Sequence, residues 1–233
     1  MEVSVPLQDM LELTGSRLCE TVATDWPESA LKRVMLTTTC GFDGASGYVN
    51  PHQGFKYQNS ENKDFNQSLF VCGFLVLQLK SLSDEKFVWN NLTPQSYRFF
   101  RPLQMSHKKE DDEFSPETYN CLSTQITNLR PFTFTMFNGN RVTIEFTTSK
   151  TLFDGKCVNA ITCNRATNRC PVCLETAWNF DSKEADFTPI EDTLFNGLGL
   201  LHCEIKTFDN LLHIAYRNKA KTWDVNKNIK GTI

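Results

Sequence analysis

The sequence predicts a mixed α/β domain in which a sheet is flanked by helices. β-Branched, aromatic and other apolar residues concentrate in two runs, 34–42 and 68–79, and the second is almost continuously apolar, as a strand buried on both faces is. Leucine and methionine recur at helical spacing over 7–24, which predicts a leading helix. With 233 residues, the chain is long enough to bury a core of its own.

The remaining predicted elements complete this order. Residues 86–90 predict a short third strand. The Ser-Pro-Glu sequence that begins at Ser115 predicts a helix with serine as its N-cap. A hairpin is predicted around the Asn-Gly pair at Asn138, and a short helix after Asp154. Three antiparallel strands followed by helix, strand and helix are the arrangement of the ribonuclease H fold.

Composition excludes some classes of protein. Hydrophobic residues make up 40% and charged residues 22%, as in soluble globular proteins. The net charge of −3 argues against a chain that grips nucleic acid over its whole surface, although a local basic patch is compatible with it. No run approaches the roughly 20 apolar residues of a membrane span, and the start has no secretory-signal pattern. Nine irregularly spaced cysteines fit a reducing intracellular compartment better than a disulfide framework.

Three distinctive segments occur in order along the chain, with a CxxC pair between the second and third. They are a Phe-Asp-Gly-Ala-Ser-Gly strand end within 40–49, a Ser-Tyr-Arg-Phe-Phe-Arg-Pro block at 96–102 followed by Phe-Asp-Gly-Lys-Cys-Val-Asn-Ala at 153–160, and Leu201-His202 followed by 211–217. These segments resemble Transib-type DNA transposases. The resemblance covers about residues 40–225 and extends, more distantly, to the catalytic subunit of the V(D)J recombinase, which belongs to the same superfamily.

The resemblance implies a three-carboxylate metal site on a ribonuclease H-like sheet. Asp43 and Asp154 match its two aspartates and His202 matches a histidine near that site, so these are the expected catalytic residues. Mg²⁺ or Mn²⁺ ions would be held by the aspartates for phosphodiester chemistry. Taken without the resemblance, each Asp-Gly pair is an ordinary turn signal. Arg98 and Arg101 are expected to contact DNA phosphates, and are equally typical of a surface loop.

This sequence matches only some of the family's catalytic carboxylates and only some of its zinc ligands. The family's third carboxylate, a glutamate far downstream, has no match in this sequence, and an active nuclease would have to recruit a local one such as Glu204. Cys170 and Cys173 match half of a structural zinc site, whose histidine partners also lie downstream in the family. We therefore expect a fold that is incomplete at its C-terminus, with Zn²⁺ as a further candidate ligand. An incomplete core predicts a homodimer or a transposase-like protein partner, besides DNA.

The functional interpretation is a Transib-like transposase derivative, ancestrally a metal-dependent enzyme of DNA cleavage and strand transfer and not catalytically complete alone. The alternative is a non-catalytic domesticated module that binds DNA or a protein partner. The family implies a nuclear location, with the cytoplasm as the alternative. The predicted parts are a leading helical segment at 1–30, a ribonuclease H-like core at 31–165, a CxxC segment with an acidic linker at 166–193, and a C-terminal helical segment at 194–233.

Overall fold

The chain divides into two compact units, Met1–Leu198 and Gly199–Ile233. The first contains the whole sheet. In the second, the described positions are all helical, which agrees with the helix predicted there. The computed structural model describes residues 2–46, 68–94, 96–108 and 114–161, together with single positions between 170 and 215.

Seven strands form one sheet in the first unit. They are β1 (Glu2–Ser4), β2 (Arg33–Ser46), β3 (Ser68–Ser81), β4 (Phe87–Asn90), β5 (Phe100–Ser106), β6 (Phe132–Thr135) and β7 (Arg141–Leu152). Their order across the sheet is β1-β5-β3-β2-β7-β6, and β4 pairs with β3. β2 and β7 run parallel, whereas all the other neighbouring pairs are antiparallel. The sheet is therefore mixed, as predicted, with its one parallel pair near the centre.

Helices cover one face of this sheet. They are α1 (Leu7–Val22), α2 (Glu28–Leu31), α3 (Phe114–Thr127) and α4 (Gly155–Ile161). α1 lies close to β7, because a Cβ atom on Gly15 would stand 2.9 Å from Ile144 Cδ1. The start of α1 is tied to α3 by the Leu7 backbone N–H, which donates to Gln125 Oε1 at 2.8 Å. In the described part of the chain, no helix has both the length and the apolar character needed to cross a membrane.

The core forms between the helices and the covered face. In the first part of β2, at 34–37, buried and half-buried side chains alternate, as in a sheet with one covered face. At 38–42, after the register shift between β2 and β3, every residue is buried. The other face is polar towards β6, where the hydroxyls of Thr133 and Thr143 lie 3.0 Å apart.

Two strands, β1 and β5, are absent from the predicted elements. Pro102 within β5 argues against a strand in the sequence, because proline cannot donate to a ladder. The structure accommodates it through a register shift that places Pro102 opposite Gly73. A Cβ atom on Gly73 would stand 2.5 Å from Arg101 O, so the two strands approach too closely for any other residue there. The predicted strand at 86–90 exists as β4.

The start of α3 also differs from the prediction. The helix begins at Phe114, and Ser115 lies inside its first turn. Its hydroxyl is buried and has no hydrogen-bond partner among the residues that the structure describes. The prediction that Ser115 caps this helix is therefore wrong, since an N-cap side chain accepts a backbone N–H of the first turn.

Candidate metal-binding edge of the sheet

Asp43 and Asp154 lie at the same edge of the sheet. The last register pair of the parallel strands β2 and β7 is Gly41 with Leu152, so each aspartate follows that pair by two residues. Neighbouring strands lie about 5 Å apart. Asp43 is still within β2, paired with Val71, and its side chain is exposed, whereas Asp154 is half-buried beyond the end of β7. The turn interpretation of Asp43 is therefore wrong, and the strand continues past it.

Gly41 makes this close approach of the strands possible. A Cβ atom there would collide with the carbonyl group of Leu152 and would stand 2.7 Å from the Leu152 Cβ. The register shifts between Thr39 and Gly41 at the same place. Any larger residue at 41 would therefore have to push the end of β7, and Asp154 with it, away from β2.

Hydroxyl pairs fasten the two strands just before that point. Thr38 and Thr148 hydroxyls lie 2.8 Å apart, and those of Thr39 and Thr151 lie 2.6 Å apart. The Thr151 backbone N–H also donates to the Thr39 hydroxyl at 3.2 Å. Cross-strand threonine pairs stabilise a sheet locally, so they fix the strand ends that carry the aspartates.

Aromatic rings pack beneath the aspartate edge. The Phe42 and Phe153 rings meet edge to face at 4.8 Å, and Tyr119 from α3 lies 5.8 Å from Phe153. The buried Cys157 thiol of α4 donates to Phe42 O at 3.6 Å. Phe42 and Phe153 each immediately precede an aspartate in the sequence. Their packing therefore fixes the backbone from which Asp43 and Asp154 extend.

Asp154 also has a structural role as the N-cap of α4. Its Oδ1 accepts the Cys157 backbone N–H at 2.6 Å, and its backbone carbonyl accepts the Val158 N–H at 3.0 Å. A carboxylate at this position is favoured by the helix dipole as well as by the hydrogen bond. Because the bond occupies one carboxylate oxygen, the cap is compatible with a cation bound through the other.

The thiols beneath this edge are not candidate ligands. Burial raises the pKa of Cys40 and that of Cys72 to about 12, with a further contribution to Cys40 from Cys72 and to Cys72 from Cys121. Lys150, which opposes the rise at Cys40, donates to the Tyr119 hydroxyl at 2.9 Å. Only a thiolate binds metal well, so at neutral pH these two cysteines act as small apolar core residues.

Arg98 and Arg101 lie away from the aspartates. Arg101 is opposite Phe74, which is opposite Cys40 on β2. Arg101 is therefore level with a residue three positions before Asp43, about 10 Å away along the strand direction, and it lies two strands, about 10 Å, to the side. Its guanidinium donates to the carbonyl of Arg98 at 2.9 Å, and the Arg98 side chain is exposed.

Two residues at the aspartate edge are missing from the sequence prediction. β5 runs in the same direction as β2, and its last residue, Ser106, is level with Gly44 through β3. His107 and Lys108 therefore follow β5 at the edge that carries Asp43. The Lys108 amine pairs with the Glu2 carboxylate at 3.1 Å and lies over the Phe114 ring at 4.6 Å. Only recognition of β5 as a strand would have found them.

Of the expected zinc ligands, Cys173 lies in a turn and Cys170 lies outside any helix or strand. The Cys170 backbone N–H donates to Glu175 O at 2.7 Å. The Glu175 backbone hydrogen bond lowers the pKa of Cys173, but desolvation and the neighbouring Cys170 outweigh it, and the net pKa is raised. In the parts of the chain given above, no three histidine, cysteine or acidic side chains are grouped to hold a metal.

His202 lies outside the described residues, and Glu204 is an exposed helical position of the second unit.

Comparison with known proteins adds no relative. No family model matches the chain, and no curated protein matches it significantly. The identity of a bound metal is therefore indicated by the chemistry of the donor atoms alone. Two carboxylates at one edge are the right chemical type for Mg²⁺ or Mn²⁺, which prefer oxygen ligands.

Proposed function

We propose that this chain is a Transib-like transposase derivative with a ribonuclease H-like sheet. The central strand order β5-β3-β2-β7 supports this proposal. β2, β3 and β5 are successive antiparallel neighbours, and β7 then pairs in parallel with β2. α3 lies in the connection that leads from β5 to the β6-β7 hairpin. The sequence pattern predicts the same outline, although it places the third strand at 86–90, whereas β5 occupies that place beside β3.

The observation that carries the proposal is the convergence of Asp43 and Asp154 on one sheet edge. They are 111 positions apart in the sequence (154 − 43), yet each follows the last register pair of the parallel strands β2 and β7 by two residues. Such a pair would hold Mg²⁺ or Mn²⁺, which supplies stabilisation of the charge that develops at a phosphodiester. Asp43 would bind through its exposed carboxylate, and Asp154 through the oxygen opposite its helix cap.

We infer that the chain alone does not complete the cleavage reaction. Two-metal phosphodiester chemistry needs a bridging carboxylate and further ligands to hold both ions, and no residue of this sequence matches the family's glutamate. The activity of DNA cleavage and strand transfer is thus ancestral. The retained function would be binding of DNA, together with a second copy or a transposase-like protein.

One observation favours the alternative of a module without metal chemistry. The hydrogen bond from the Cys157 N–H to Asp154 gives that aspartate a structural reason to be present. A cap needs only a side-chain oxygen acceptor, whereas a cation site needs the charge. The two functions therefore predict different behaviour for an asparagine at 154.

The test is a nicking assay on supercoiled DNA across a titration of Mg²⁺ and of Mn²⁺. We expect no metal-dependent nicking by the wild type alone, with DNA binding retained in a gel-shift assay. Metal-dependent nicking that Asp43→Ala abolishes would overturn the inference of incompleteness and identify an active nuclease. Absence of both DNA binding and cation binding would overturn the proposed function as a whole.

A further inference from the structure

The stretch 86–101 differs from the rest of the chain in its charge. Across these sixteen positions there are three cations, at Lys86, Arg98 and Arg101, and no carboxylate, although Asp84 and Glu85 immediately precede Lys86 and offset its charge. Five of its residues are aromatic. In a chain with a net charge of −3, this is a local basic and aromatic segment of the kind that single-stranded nucleic acid requires.

Much of the apolar surface of this segment faces solvent. Tyr97 is 87% exposed, Leu92 is 90% exposed, and Phe87 is 50% exposed. Trp89 of β4 and Phe99 pack edge to face at 5.2 Å, which joins the turn at Tyr97 to the strand. The Tyr97 ring therefore projects from a packed aromatic base rather than from a loop without support.

Hydrogen bonds hold the turn in place. The Ser96 hydroxyl accepts the Arg98 backbone N–H at 3.3 Å, and the Arg101 guanidinium donates to Arg98 O at 2.9 Å. The Asn91 side chain donates to Val76 O at 2.8 Å, anchoring the preceding loop to β3. A ring held in advance loses little conformational freedom when it binds a ligand.

We propose that this surface, which we call the Tyr97 platform and define as Phe87, Trp89, Tyr97, Arg98 and Phe99, binds unpaired bases of single-stranded DNA. Tyr97 stacks on one base and Arg98 contacts the adjacent phosphate. Every base offers a π face, so such stacking tolerates any sequence. Charge favours this occupant over a protein: a cationic segment with no acid attracts a polyanion.

The proposal deepens the proposed function and rests on it in taking DNA as the ligand. The platform adjoins the start of β5, so it is separated from Asp43 along the strands and across β3. It would hold a displaced strand at a distance from the aspartate edge. Because stacking needs no cation, the binding can be measured in a chelator, independently of the carboxylate site.

The experiment measures fluorescence anisotropy of labelled oligothymidylate of about 12 nucleotides, within the size range of single-strand binding sites, in EDTA. We expect Tyr97→Ala to weaken binding about tenfold, as loss of one stacked base does, with the salt dependence unchanged. Arg98→Ala should lower the slope of log Kd against log salt by about 0.7, because one phosphate contact is lost. The matched control is Phe137→Ala, which removes a 97% exposed ring at the turn between β6 and β7 and should leave binding as in the wild type.

Four outcomes overturn the inference. Unchanged affinity of Tyr97→Ala, shown to be folded by circular dichroism, would exclude stacking at this ring. Duplex DNA bound as tightly as the single strand would exclude a platform for unpaired bases, and tighter binding of oligouridylate would reassign the surface to RNA. If the wild type binds Mn²⁺ but no oligothymidylate, this inference fails while the proposed cation site stands. If it binds oligothymidylate but no Mn²⁺, the cation site fails while this inference stands.

Discussion

The aspartate edge and the Tyr97 platform are two regions of one sheet with opposite chemistry. At the edge, Asp43 within β2 and Asp154 just after β7 extend from backbone that is packed by phenylalanine rings and held by threonine hydroxyls. At the platform, Arg98 and Tyr97 extend from a hydrogen-bonded turn whose segment contains no acid. The carboxylates at the edge would attract a cation, whereas the arginine at the platform would attract a polyanion.

The difference shows why net charge is a poor guide to this molecule. A total of −3 argues only against a chain that grips nucleic acid over its whole surface, because that total averages over regions of opposite sign. Acids close together at one site and bases at another are what a cation and a polyanion would each require. The arrangement of charge therefore carries the functional information that the sum conceals.

The largest expected effect on stability comes from a larger side chain at Gly41, where β2 approaches the end of β7. Gly41→Val would drive a side chain into the Leu152 carbonyl group, and backbone cannot move aside as a side-chain end can. We expect a loss of at least about 3 kcal/mol in the free energy of unfolding, beyond ordinary overpacking, in urea titrations. In the control Gly15→Ala, the new atom meets the flexible end of Ile144, so a much smaller loss is expected. Equal losses would show that Gly41 has no special place in the edge.

Alkaline pH should weaken the core beneath the edge. The Cys40 pKa is raised from 9.0 to about 12 in the folded protein, so both states keep the proton at neutral pH. Above about pH 9 the unfolded chain loses this proton while the folded one retains it, and stability falls as pH rises towards 12. In Cys40→Ala, the loss of stability between about pH 8 and pH 10.5 should be smaller than in the wild type by roughly 2 kcal/mol. Parallel pH profiles for the two proteins would contradict a buried neutral thiol.

A smaller effect distinguishes the cap from the charge at Asp154. Asp154→Ala should cost about 1 kcal/mol of unfolding free energy, because the Cys157 N–H loses its acceptor. Asp154→Asn retains an acceptor and should cost at most a few tenths of a kcal/mol in EDTA. An asparagine variant as unstable as the alanine variant would mean that charge, rather than the hydrogen bond, stabilises α4.

The sequence predicts the centre of the sheet better than its margin. β2, β3 and β7 are found because each has an apolar or alternating run long enough to be read locally. β5 is not, because Pro102 is tolerated only through a register shift opposite Gly73, a fact of tertiary pairing. β1 is three residues long and pairs with residues about a hundred positions away, so no local pattern marks it.

The candidate site shows the same division. The motif around Asp43 points to a strand end, but only the parallel register brings it beside Asp154. The helix-capping hydrogen bond of Asp154 depends on side-chain geometry that spacing does not specify. His107 and Lys108 share the edge with Asp43 only because β5 exists and runs in the same direction as β2.

Binding of Mn²⁺, followed by its electron paramagnetic resonance signal, tests the central claim most directly. We expect the wild type to bind the ion weakly, and Asp43→Asn and Asp154→Asn each to lose that binding while remaining folded. The two substitutions preserve size and remove one charge each, so a shared site predicts the same loss from either. Binding that persists unchanged in both variants would contradict a cation site formed by Asp43 and Asp154.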